Sequence, residues 1–306
     1  MPPPTLLRDV SRSFYLSIRL LPPPLRAPVG LAYLLARATD TVADTAAIAV
    51  DERRELLARV ASAIAGEASV PAPLLARFIG AQQDPAEQRL MQRLGECVGE
   101  LERLDPADRT DVRTVLAHIV RGQTLDLERP VVPDAQALRD YTYLVAGCVG
   151  EFWTDVCARH VAGYAVRSHD EMRALGRSFG CALQLVNIVR DAGDDRRAGR
   201  CYLPAGEIAS TGFDATWAHW QGEAAPGLAD GMSYALAVNP RRIRAAVALP
   251  ALIGRGTLAR LRAAGARAMD ERVKVPRSEV RALMLRIALG LAGRAVLQRE
   301  WDNKKR

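Results

Sequence analysis

Two short stretches of this sequence set carboxylates four residues apart on segments that are otherwise apolar. The first reads Tyr33-Leu-Leu-Ala-Arg37-Ala-Thr-Asp40-Thr-Val-Ala-Asp44. The second reads Gln184-Leu-Val-Asn187-Ile-Val-Arg190-Asp191-Ala-Gly-Asp-Asp195. On a helix of about 100° per residue, Tyr33, Arg37, Asp40 and Asp44 share one face, as do Gln184, Asn187, Asp191 and Asp195. A polar line down an apolar helix faces either solvent or a polar site inside the fold. Carboxylates so spaced can hold magnesium, which takes a few carboxylates and completes its shell with water and substrate phosphate oxygens. Such ions neutralise the charge that builds on a departing diphosphate. Arg37 and Arg190, beside the carboxylates, add charge-assisted bonds to phosphate oxygens. One pair of acids four apart is common on solvated helices. Two pairs, each with an arginine and with amide or phenol groups on an apolar segment, point to a shared task.

The segments that carry these stripes belong to a chain patterned almost throughout as helix. Apolar positions recur at helical spacing, Ala, Leu and Arg dominate, and the segments stop at Gly or Pro. Helices are expected roughly over 10–20, 25–48, 51–65, 87–104, 108–128, 135–162, 168–194, 240–264 and 277–298. Pro22-Pro23-Pro24 separates the first two. Residues 66–85 read as a loop around a short helix. Residues 205–231, with Gly, Ser, Trp217 and Trp220, read as a second loop that could serve as a lid. Strand signals are scarce, and no repeat or low-complexity linker divides the chain. The expectation is one all-α domain over residues 1–306: a helical bundle around a deep apolar cavity, with the two aspartate stripes facing each other at its mouth.

Composition narrows the partners. The 306 residues carry a formal charge of +7, but the arginines are scattered along helical segments rather than blocked together with aromatics. That pattern does not suggest nucleic acid and leaves a solvated basic surface, an anionic substrate or a membrane surface. Five cysteines (Cys97, Cys148, Cys157, Cys181, Cys201) form no CxxC pair, which argues against a disulfide framework and a zinc site. The four histidines, His118, His160, His169 and His219, have no ligand spacing. The start, Met1-Pro2-Pro3-Pro4, is not a signal peptide, and Arg286 and Arg294 interrupt the most apolar late segment. A cytoplasmic protein is expected, a monomer or weak dimer, with peripheral membrane contact left open.

Several motifs in order resemble the head-to-head trans-isoprenyl diphosphate synthases, the squalene/phytoene synthase family, from about Ser11 to Leu297. Ser11-Arg12-Ser13-Phe14 followed by Leu20-Leu21-Pro22 resembles the family's opening segment. Asp40-Thr-Val-Ala-Asp44 resembles its first aspartate motif, and Asn187-Ile-Val-Arg190-Asp191 through Asp195 its second, followed by Gly199-Arg-Cys-Tyr-Leu-Pro204. Tyr141-x-Tyr143-x-Val145-Ala146-Gly147-x-Val149-Gly150 is similar to its catalytic tyrosine helix. Gly122-Gln-Thr-Leu-Asp126 is a fainter likeness to another pocket segment. Within the family these motifs look more like squalene synthase than phytoene synthase.

That resemblance implies an all-α, magnesium-dependent prenyltransferase. It joins two farnesyl diphosphates through presqualene diphosphate and closes with reduction by NADPH. Tyr141 is implied as the acid/base group, and Asp40, Asp44, Asp191 and Asp195 as the metal ligands. Arg12, Ser13, Arg37, Arg190 and Lys274 match positions for phosphates or the nicotinamide cofactor. Tyr33 and Phe14 offer π-faces to carbocations, though for Phe14 a place in the core remains the alternative. Gln184 and Asn187, if buried, orient metal waters or phosphate oxygens. The small residues Val145, Ala146, Val149 and Gly150 line either a prenyl tail or a close helix contact. Two departures stand out: Ala43 replaces an acidic residue inside the first motif, and Pro276 stands where an arginine is usual in animal squalene synthases, so that contact is either missing or moved to Arg277. Dehydrosqualene or phytoene synthase, ending in proton loss without NADPH, is the neighbouring alternative. A non-catalytic assembly factor is the more distant one, and retention of all four aspartates speaks against it.

Overall fold

The computed structural model describes residues 4–11, 18, 21–70 and 72–303. Arg12, Ser13 and Phe14 lie outside the described residues. The chain divides into two compact units, Met1–Arg129 and Pro130–Arg306, each built of helices. Among the described residues the only strand-like pairings are two isolated bridges, Val131 with Cys201 and Ala165 with Val238. No helix among them is long and apolar enough to cross a membrane.

The first unit holds α1 (Pro4–Ser11), α2 (Pro23–Asp44), α3 (Val50–Ala65), α4 (Ala72–Ala81), α5 (Pro85–Gln92), α6 (Leu94–Glu102) and α7 (Pro106–Glu128). Their starts are written locally. Proline stands at the first position of α2, α5 and α7, where its missing N–H costs nothing. Asp84 and Asp105 cap α5 and α7 by accepting from the Ala86 and Ala107 amides. Helix α2 packs against α7, α6, α3 and α5 and buries Leu25, Leu31, Leu34, Leu35, Ala38 and Val42. Each such leucine contributes about 1.5–3 kcal/mol of burial. The expected helix 87–104 is two, because Arg93 leaves helical geometry at φ −104°, ψ 11°.

The second unit holds α8 (Ala135–Thr142), a π-helical turn (Tyr143–Gly147), α9 (Cys148–His160), α10 (His169–Arg197), α11 (Ala205–Thr211), α12 (Phe213–Ala237), α13 (Arg241–Ala264), a 3-10 turn (Gly265–Met269), α14 (Arg277–Leu289) and α15 (Arg294–Asn303). Its centre is α10, which packs against α12, α9, the π turn and α13. A capping box starts α10: Ser168 Oγ accepts from the Glu171 amide and Glu171 accepts from the Ser168 amide.

Residues 205–231, expected as a loop, are helical. Only Gly212, at φ 85°, breaks α11 from α12. The glycines that suggested a loop serve packing instead. A Cβ on Gly227 would stand 2.6 Å from the Ala182 Cβ, and one on Gly231 2.2 Å from the Phe179 ring. Glycine there lets α12 lie close on α10. Trp217 and Trp220 are therefore not a lid. Both are buried, with Trp217 Nε1 donating to the Val189 carbonyl (2.8 Å) and Trp220 Nε1 to Glu207 (2.9 Å). The expected helix 277–298 also divides, at Gly290–Gly293.

Candidate active site

In the first unit the stripe of α2 is what the core leaves over. Its buried threonines return their hydroxyls to the helix backbone: Thr39 to the Ala36 carbonyl (2.9 Å) and Thr41 to the Arg37 carbonyl (3.0 Å). Tyr33, Arg37 and Asp40 are half-buried, and Asp44 is exposed at the end of the helix. Arg37 donates from Nη1 to Asp40 Oδ2 (2.6 Å) and from Nη2 to Glu87 Oε1. Burial, and then the charge of Asp44 one turn on, raise the Asp40 carboxyl above the usual carboxylate range against the pull of Arg37. Burial likewise raises the Tyr33 phenol, which stays neutral.

In the second unit α10 carries the other stripe. Arg190 grips its neighbour Asp191 with two bonds, Nε to Oδ1 (2.9 Å) and Nη2 to Oδ2 (2.5 Å). Asp195 is half-buried beside a cleft of about 10 Å³, lined also by Ile188, Ala192, Cys201, Tyr202 and Phe213, with room for one water. Gln184 is half-buried, but Asn187 is exposed and donates to Gln184 Oε1 at 3.4 Å. The expected pair of buried amides is thus one half-buried and one exposed, since Asn187 sits at the margin of the stripe.

Tyr141, in the last turn of α8, is 7% exposed, and its ring stacks on Tyr202 at 5.2 Å and 29°. Tyr202 reaches it because the chain after α10 returns to the start of the unit. There Cys201 donates to the Pro130 carbonyl (2.8 Å) and accepts from the Val132 amide (3.0 Å). The π turn begins two residues after Tyr141, and such turns gather at functional sites. Of the small-residue stripe, Val149 is exposed while Val145, Ala146 and Gly150 are half-buried. Lys274 is exposed in the segment after the 3-10 turn. That turn is tied to the acidic end of α10 by Arg197, whose Nη1 donates to the Met269 carbonyl at 2.7 Å.

Three features of the site are not evident from spacing alone. Glu87 carries only a local signal, since Asp84-Pro85-x-Glu87 is a helix-start signature that puts an acid in the first turn of α5. Tyr202 lies within Gly199-Arg-Cys-Tyr-Leu-Pro204, where no spacing pairs it with Tyr141. The π turn leaves no periodicity signal of its own.

The carboxylates suit magnesium. Among the described residues no group of three or more His, Cys, Asp or Glu side chains is placed to hold a metal ion by itself. Each stripe brings two carboxylates, which fits an ion whose shell substrate oxygens and water complete. The Asp40 carboxyl is raised by burial first and by the Asp44 charge second, and a divalent cation shared with Asp44 would offset both.

The profile of the squalene/phytoene synthase family matches residues 7–279, and the chain belongs to that family. It is 30% identical over 204 residues to a bifunctional lycopene cyclase/phytoene synthase of Blakeslea trispora, covering 65% of this chain and 31% of that protein. It is 28% identical over 212 residues to a presqualene diphosphate synthase of Zymomonas mobilis, covering 66% of this chain and 60% of that one. The chain thus spans about a third of the Blakeslea protein and less than two thirds of the Zymomonas one. Among solved structures, TcSQS in complex with the ligand E5700 superposes with a TM-score of 0.73 at 19% identity, over 98% of this chain and 95% of that one. That likeness establishes the fold: an all-helical isoprenoid-synthase architecture.

Proposed function

We propose that this protein condenses two prenyl diphosphates head to head, with farnesyl diphosphate as substrate, presqualene diphosphate as intermediate and squalene as product. The observation that carries the reading is the stripe of α2. A half-buried arginine and a pair of mutually repelling carboxylates stand on a helix whose other faces are core. Such a stripe fits a metal–diphosphate group better than bulk solvent. Asp40, Asp44, Asp191 and Asp195 would hold magnesium, which when bound supplies Lewis-acid charge to the leaving diphosphate. We take both units as parts of one catalytic chain.

In the first half-reaction one diphosphate leaves, two carbon–carbon bonds form to join the chains through a cyclopropane, and one proton is lost. Tyr141 is the group proposed to move that proton, with the released diphosphate as its final acceptor. The Tyr202 ring holds the phenol in place. Arg37 and Arg190 bind phosphate oxygens. Tyr33 lends its π-face to the cation, and Gln184 and Asn187 contribute polar contacts at the edge. In the second half-reaction the other diphosphate leaves and the resulting cation is quenched by hydride, which NADPH would supply if bound. Lys274 and Arg12 are the cations proposed for its phosphates.

The likeness to phytoene synthases favours a second reading, in which proton loss ends the reaction and no reductant is used. Incubation of the pure protein with farnesyl diphosphate and magnesium, with and without NADPH, separates the two. The proposal expects squalene only with NADPH, and presqualene diphosphate or dehydrosqualene without it. In Lys274→Ala the first half-reaction continues and the reductive half slows. An identical product with and without NADPH overturns the squalene assignment, and no coupled product from any prenyl diphosphate overturns the condensation itself.

A further inference from the structure

Most large apolar side chains of this protein are buried, but one short stretch is not. Met284 (49% exposed), Leu285 (59%), Leu289 (75%) and Leu291 (62%) crowd the outer face of α14 and the turn after it. The opposite face is fixed. Leu283 and Ile287 are buried, Glu279 accepts from Arg260 of α13 (2.5 Å), and Arg286 donates to Glu300 of α15 (2.7 and 3.0 Å). Helical geometry then puts Arg277 and Arg281 on the same outward face as Met284, Leu285 and Ala288, one or two turns toward the N-terminus. Both arginines are exposed and make no ion pair among the described residues.

The turn itself adds an independent sign. Leu291 and Ala292 are left-handed at φ 49° and 50°, a conformation that residues with a Cβ rarely adopt. The turn is pinned from inside: the Ala292 amide donates to the Ile287 carbonyl (2.8 Å), and its carbonyl accepts from the buried Arg244 (3.0 Å). Ala292 is thereby buried, and Leu291 is held out beside Leu289.

We propose that this face docks on the surface of an anionic lipid bilayer. Leu285, Leu289 and Leu291 would enter the acyl boundary while Arg277 and Arg281 meet lipid phosphates. Apolar residues beside arginines make the interfacial pattern, and the chain's +7 charge draws it to negative lipid. A second copy is a poorer occupant, because a twofold contact through this patch would set like arginines against each other. The proposal stands whichever prenyl product the protein makes.

Flotation with vesicles of phosphatidylcholine alone, and of phosphatidylcholine with about a third phosphatidylglycerol, tests it. Wild-type protein is expected on the anionic vesicles and to come off as salt rises. Leu285→Ser/Leu289→Ser and Arg281→Glu are each expected to bind at least about tenfold more weakly. Leu291→Gly separates docking from folding. The backbone at φ 49° accepts glycine readily, so the fold is kept, as circular dichroism would report, while vesicle binding weakens. Binding by the double variant equal to wild type overturns the proposal, as does wild type that floats with neither vesicle. So does a wild-type dimer in light scattering that the double variant dissociates, which would make the patch a contact between copies.

Discussion

Glu87, 50 positions from Arg37 in the sequence, binds its Nη2, so the guanidinium is divided between Glu87 and Asp40. A cation that takes the Asp40 carboxylate would remove one of these partners and leave the other. Glu87 would then be the residue that keeps Arg37 in place. Glu87→Gln is expected to lower kcat/KM for the prenyl diphosphate about tenfold, equivalent to about 1.4 kcal/mol. The melting temperature should move by only a degree or two, because partly exposed ion pairs contribute about 1 kcal/mol or less. Glu87→Asp should fall between. An unchanged kcat/KM in Glu87→Gln would mean that Asp40 alone positions Arg37.

Magnesium should stabilise the protein in the absence of substrate. At a concentration one hundred times its Kd, a ligand of the native state adds about 2.7 kcal/mol, a rise of several degrees in Tm. Asp40→Asn and Asp191→Asn should each remove most of that rise and nearly all turnover while leaving the far-UV spectrum unchanged. The pH dependence has a definite sign. A carboxyl whose pKa rises on folding favours the fold only while protonated, and that contribution is lost as pH rises through the raised value. Protons therefore compete with the metal, and the magnesium-induced shift should shrink as pH falls. Differential scanning fluorimetry across pH measures it, and a shift equal in wild type and both variants would refute the assignment of these ligands.

Tyr141→Phe keeps the ring on Tyr202 and removes only the hydroxyl. Formation of the cyclopropyl intermediate is expected to drop by about 10²–10⁴-fold, the range for loss of a general acid or base. Tyr202→Leu, which leaves the hydroxyl but not its stacked support, should cost less. Single-turnover assays with radiolabelled farnesyl diphosphate distinguish the cases, and a change below about threefold in Tyr141→Phe assigns that residue to packing alone.

The cysteines make a stability prediction that needs no substrate. All five are free, and burial pushes the thiols of Cys148 and Cys157 up to about 12 and that of Cys97 up to about 11. Unfolded thiols ionise near pH 9, so above that pH the unfolded chain binds fewer protons than the native one. Stability must then fall with rising pH, by about 1.4 kcal/mol per unit for each such thiol. Urea unfolding at pH 8 and pH 10 checks the slope. Cys157→Ala should flatten it, and equal slopes would show that Cys157 ionises alike in both states.

The stripes were legible because they are local. Once a segment is helical, the angle between residues three and four apart is fixed, and Asp40–Asp44 and Asp191–Asp195 follow from the chain alone. The caps, the proline starts and the helical class are local for the same reason. Glycine and proline were less transparent. The sequence marks them as breakers, and at Gly212 and Gly290 they do break helices. At Gly227 and Gly231 they instead allow a neighbouring helix to approach, which depends on what lies opposite.

Which distant groups meet the stripes depends on how the helices pack. Glu87 on Arg37, Tyr202 on Tyr141 and the Met269 carbonyl on Arg197 are pairings across tens of residues that no spacing rule encodes. The same holds for the outward turn of Leu291, which is followed by Ala292, whose carbonyl is held by Arg244 from another helix. An all-helical chain of the squalene/phytoene synthase family with two carboxylate faces is legible from local pattern and motif alone. Packing determined how those faces are charged, propped and buried, because burial and long-range contact are properties of the folded arrangement and not of any one segment.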